Sequence, residues 1–151
     1  MKKETVSRAV QDLGVAAYVL MHGHALSGRK ERTFIFGVDK NQLKEFEDLK
    51  TAYLFSEFHY FDHCLMGLKK LEEYPYTINS NKFLTDLGAA AFLLMHKFKL
   101  LGKKGRSFYF DIHTEDEERQ FDETNLQYTA SEFHDFDSKL MSLKKIGEYT
   151  R

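Results

Sequence analysis

The chain is written twice. Residues 12–38, DLGVAAYVLMHGHALSGRKERTFIFGV, return as residues 86–112, DLGAAAFLLMHKFKLLGKKGRSFYFDI. Residues 53–74, YLFSEFHYFDHCLMGLKKLEEY, return as residues 128–149, YTASEFHDFDSKLMSLKKIGEY. The offsets are 74 and 75 residues, and 14 of 27 and 14 of 22 paired positions are identical. Agreement of that density reads as a tandem duplication. It divides the chain into copy one (1–74), a linker (75–82) that opens on the single proline, Pro75, and copy two (83–151). Two copies are too few for a solenoid. Units of about 70 residues are marginal alone. The expected solution is a pseudo-two-fold dimer within one chain, each copy completing the other's core.

Each copy opens with a helix. Leu13, Ala16, Ala17, Leu20 and Met21 recur at helical spacing, and Thr85-Asp86 offers an N-cap in copy two. A hairpin follows, with Phe34 and Phe36, or Phe108 and Phe110, alternating at strand period. Gly28, Gly102 and Gly105 are expected to supply its turn geometry. Leu43, Phe46 and Leu49 suggest a second helix in copy one, where copy two is more acidic and carries Phe121. A short extended piece at 53–55 or 128–130 would add a third strand. Ser56 and Ser131 then cap a last helix carrying Phe58, Phe61, Leu65 and Leu68, or Phe133, Phe136, Leu140 and Leu143. The predicted unit is α-β-β-(α)-β-α, an α+β fold.

Composition limits what such a unit can do. With 22 Lys and Arg against 23 Asp and Glu, the net charge of −1 excludes a histone-like protein and an acidic nucleic-acid mimic. One cysteine leaves no internal disulfide framework. The longest apolar run near the N-terminus, residues 15–21, is far below the ~20 residues that span a bilayer. The expected location is therefore the cytoplasm, that of a host if the source is viral, with no membrane partner.

The motifs TDLGAAAFLLM (85–95) and GKKGRSFYF (102–110), followed by the spaced Phe and Leu of the last helix and its LKK, resemble a family of short bacterial and phage proteins of unknown function, the DUF5659 family. Thr85, Asp86, Leu87, Ala90 and Ala91 fit its helix start, and Phe108 and Phe110 its second strand; copy one departs at Gln11. The resemblance implies a small α+β fold and a mobile-element origin. It implies no activity and no catalytic residue.

Two constellations recur in both copies. Arg29, Lys30 and Arg32 cluster at one hairpin tip, and Lys103, Lys104 and Arg106 at the other. Such tips grip phosphates in β-ribbon proteins, with nearby rings available for stacking. Solvated turns carry the same residue types. His59 with Asp62, and His134 with Asp137, stand at i and i+3 on the last helix and read as structural pairs. His63 adds an i, i+4 metal spacing in copy one, but Ser138 replaces it in copy two. His22 and His96 close the first helix, and Lys69, Lys70, Lys144 and Lys145 close the last. No Walker loop, dinucleotide fingerprint, HExxH or GxSxG is present. The expectation is a non-enzymatic accessory protein without cofactor or metal, binding nucleic acid through its tips. The alternative is a protein-interaction module, such as a viral adaptor or an inhibitor of a host protein.

Overall fold

A computed structural model describes residues 4–150, and they form an α+β protein. The chain groups into two compact units that cut across the repeats: Met1–His59 with Asp135–Arg151, and Tyr60–His134.

In the first unit, strand β1 (Thr5–Val10) precedes helix α1 (Leu13–Met21), strands β2 (Ala25–Lys30) and β3 (Thr33–Asp39), and helix α2 (Leu43–Leu54). Helix α3 (Glu57–Lys69) begins here. Most of helix α6 (Glu132–Lys145) and the two-residue strand β7 (Tyr149–Thr150) return to it. The sheet is antiparallel, in the order β1-β3-β2-β7. Strand alternation sends Val10, Phe34, Phe36 and Val38 into the core and leaves Ala9 and Ile35 on the outer face. Asp12 caps α1 by accepting the Val15 N–H at 3.0 Å. Gly14, on the first turn, lets Tyr53 approach: a Cβ there would lie 2.2 Å from the tyrosine hydroxyl. Phe46 and Tyr53, seven residues apart on α2, are both buried, as are Phe136, Leu140 and Leu143 of α6. Phe136 stacks on Tyr53 with centroids 6.0 Å apart and meets Phe58 at 5.4 Å.

The second unit repeats the scheme. Strand β4 (Phe83–Leu84) precedes α4 (Leu87–Met95), β5 (Leu100–Lys104), β6 (Ser107–Phe110) and α5 (Glu115–Thr129). The sheet order is β4-β6-β5, with Phe108 and Phe110 inward. Phe121 and Tyr128 of α5 are buried with Phe61, Leu65 and Leu68 of α3. Phe61 meets Tyr128 at 6.1 Å and Phe133 at 5.5 Å. Each sheet therefore takes most of its last helix from the opposite repeat.

Several expectations need correction. Residues 53–55 and 128–130 form no third strand. Tyr53 and Leu54 close α2, and Tyr128 and Thr129 close α5, because each tyrosine continues the face begun by a phenylalanine two turns earlier. The third strand instead precedes the first helix, as β1 and β4. Helix α1 shows no stripe, because it is apolar nearly all round and buries every residue from Gly14 to Val19. Gly28 and Gly102 stand within strands at register shifts rather than in turns. The turns use Glu31 (φ 55°) and Gly105 (φ 59°). The Ser56 and Ser131 caps form as expected, each Oγ accepting the amide three residues on at 3.3 Å.

Two predictions follow from this packing. Burial of Phe136, Leu140 and Leu143, at roughly 1.5–3 kcal/mol each, is comparable to a small domain's whole stability. Residues 1–76 expressed alone should be unfolded or self-associated in circular dichroism and sedimentation; a cooperatively folded monomer would contradict this. Gly14→Ala should cost about 1–3 kcal/mol in chemical denaturation, because the Tyr53 ring must move.

Candidate nucleic-acid interface

The two hairpin tips are built alike. In the first, β7 adds to the outer edge of β2, with Tyr149 opposite Arg29. The Glu31 amide, turned outward by its positive φ, donates to Glu148 Oε1 at 2.8 Å. In the second, the Tyr74 amide donates to the Lys103 carbonyl at 2.8 Å, and the Gly105 amide donates to Glu73 Oε1 at 2.6 Å. A Glu-Tyr dipeptide thus clasps each hairpin: the carboxylate closes the turn and the tyrosine lies along the edge strand. Sequence reasoning missed this clasp, although Glu73-Tyr74 and Glu148-Tyr149 recur in register.

The six tip cations are not equivalent. Arg29 is half-buried and already engaged. Its Nη1 donates to the Ile146 carbonyl, its Nε donates to the Glu31 carbonyl at 3.0 Å, and its guanidinium sits 5.4 Å from the Phe34 ring centre. Lys30, Arg32 and Arg106 are exposed, and Lys103 and Lys104 half-exposed. Among the described residues these five form no ion pair. Counting the carboxylates placed at each tip, three cations against Glu31 and Glu148 leave +1 on the first, and three against Glu73 leave +2 on the second.

The repeated histidines are set by tyrosines. His59 stands in the first turn of α3, its amide on Ser56 Oγ and its ring edge-on to Tyr53 at 5.3 Å. His134 repeats this on Ser131 and Tyr128, also at 5.3 Å. Asp62 and Asp137 lie one turn further on, half-buried. The legible signal was Tyr-x-x-Ser-x-x-His, present in both copies. Among the described residues no group of three or more His, Cys, Asp or Glu side chains is placed to hold a metal. His22 and His96 cap their helices directly, each ring Nδ1 2.8 Å from the carbonyl four residues back.

Three further titratable groups are partly or wholly enclosed by the fold. His24, which sequence reasoning passed over, is buried edge-on against Phe46 at 5.1 Å, with Glu45 3.8 Å from its Nε2. Lys82 is held by Glu118 and Asp122, whose hydrogen bonds keep its proton above the usual lysine range. Burial pushes the Cys64 thiol up. No helix among the described residues is long and apolar enough to cross a membrane.

Arg29→Ala should lower stability by about 1–2 kcal/mol, since it strips two carbonyl partners at a half-buried site. Lys30→Ala and Arg32→Ala should stay within about 0.5 kcal/mol. Urea denaturation of the three variants reads the difference, and equal losses would contradict it. Comparison with protein-family models, with curated proteins and with solved structures gives no match to this chain.

Proposed function

We propose that the chain is a tandemly duplicated, non-enzymatic accessory protein, phage-encoded on the resemblance of its motifs, that binds nucleic acid weakly through its two basic hairpin tips. One observation carries the reading. Lys30, Arg32, Lys103, Lys104 and Arg106 keep free charges, while Glu148 and Glu73 are bound by turn amides rather than by these side chains. The fold's own carboxylates satisfy the turn backbone and leave the cations for an external anion. Mobile lysines and arginines reach phosphates more readily than base edges, so sequence preference is weak.

Five available cations limit the salt dependence. The logarithmic slope of affinity against salt on duplex DNA should be near −3 to −4.5. Alanine at Lys103, Lys104 and Arg106 should remove about 2–3 of that slope, and alanine at Lys30 and Arg32 about 1–2. Glu73→Ala and Glu148→Ala remove a negative charge from each tip and should strengthen binding at low salt. Fluorescence anisotropy with labelled DNA and RNA, single- and double-stranded, tests all of this. No binding at tens of micromolar protein would reject the reading.

A second reading, a protein partner, has its own observation. Phe55 is 87% exposed and Leu54 55% exposed at the corner between α2 and α3. Leu54 also lines a groove with Val10, Val15 and Lys50. Loss of nucleic-acid binding in the assay above would shift the assignment to this corner.

A further inference from the structure

We infer that the outer sheet face of the second unit is a stacking platform for single-stranded nucleic acid, with Phe83 and Tyr109 receiving a base and Lys104 and Arg106 its flanking phosphates. This inference rests on the nucleic-acid reading of the tips and narrows it to one strandedness and one unit.

The face follows from register. Phe108 and Phe110 point into the core, so Tyr109 between them points out. Phe83 pairs with Tyr109 across β4 and β6 and shares its face. Their ring centres are 5.3 Å apart, and Phe83 is 48% exposed. Gly102 pairs with Tyr109 on the other side, and a Cβ there would lie 3.0 Å from Tyr74 Cβ and 3.3 Å from Ile78 Cδ1, so Tyr74 and Ile78 cover that side of the row and leave Phe83 and Tyr109 as its open part. Rings exposed along one sheet face are an arrangement that every base can use, since each base has a π-face.

The charge lies beside the rings. Lys104 pairs with Ser107, two residues from Tyr109, and therefore stands on the outer face. Two strand residues span roughly 6.6 Å, close to one nucleotide step of an extended strand. Arg106 follows at the exposed turn. Two acidic groups of α5, Glu118 and Asp122, are taken up by Lys82, one residue before Phe83. A polyanion crossing Tyr109 toward the tip meets cations.

The first unit is a built-in control. Ala9 and Ile35 occupy the positions of Phe83 and Tyr109, and Lys30 and Arg32 those of Lys104 and Arg106. The cations are retained and the rings are absent.

The test uses the full chain, labelled oligothymidine and a duplex of equal length, in low-salt anisotropy titrations. Wild type should bind the single strand several-fold more tightly than the duplex. Phe83→Leu with Tyr109→Leu, which keeps apolar bulk, should weaken single-strand binding about tenfold and leave duplex binding unchanged. The chain contains no tryptophan, so Tyr109→Trp gives a single reporter whose emission oligothymidine should quench and duplex should not. Unchanged single-strand affinity in the leucine variant, or unquenched emission, overturns the platform while leaving the tips intact. If neither probe binds, the tip reading falls with it.

Discussion

The packing of the last helix against a tyrosine-ended helix is the constraint on which the rest depends. In one unit Phe136 stacks on Tyr53; in the other Phe61 meets Tyr128. Each sheet carries buried rings on one face only, and α1 or α4 alone cannot cover them. In the first unit the covering helix returns from the far end of the chain; the second unit is one continuous stretch that opens with its covering helix. The compact units of the structure therefore do not coincide with the repeats of the sequence. Stability must arise from contacts of high sequence separation, which cost more chain entropy to close than local ones.

The same exchange explains the tips. Once α6 or α3 is in place, the residues that follow it are delivered to a hairpin edge, where Glu148-Tyr149 or Glu73-Tyr74 clasps the strand. The clasp covers an edge that would otherwise offer unpaired backbone groups. It also fixes the backbone of a turn that has only two residues and, in the first unit, a glutamate in the left-handed region. Side chains free to meet a ligand are then presented from a held backbone.

Much of this was legible in the sequence, and the failures have physical causes. The α+β class, the Phe34/Phe36 and Phe108/Phe110 strands and the serine caps all rest on local periodicity or capping chemistry, which a sequence states directly. Tyr53 and Tyr128 were misplaced in strands because an aromatic near a helix end has the same composition as a short strand; only the seven-residue spacing from Phe46 and Phe121 distinguishes them. Strands β1 and β4 were missed because TVSRAV is half polar and Phe83-Leu84 is two residues long. The exchange of helices was invisible, since both repeats carry the same apolar face and nothing local says which sheet it covers. At the candidate site the six cations were legible. The engagement of Arg29 and the Glu-Tyr clasp were not, because both depend on a segment 117 residues away in the first unit.

Residue-resolved chemical-shift perturbation tests the functional assignment most directly. The isotope-labelled full chain would be titrated with a short oligothymidine at low salt. The largest amide shifts should fall on Lys103–Tyr109 and Phe83, with smaller ones on Lys30–Thr33 and none at the Leu54–Phe55 corner. Shifts concentrated at Leu54, Phe55 or α5, with the hairpin tips unmoved, would contradict the assignment.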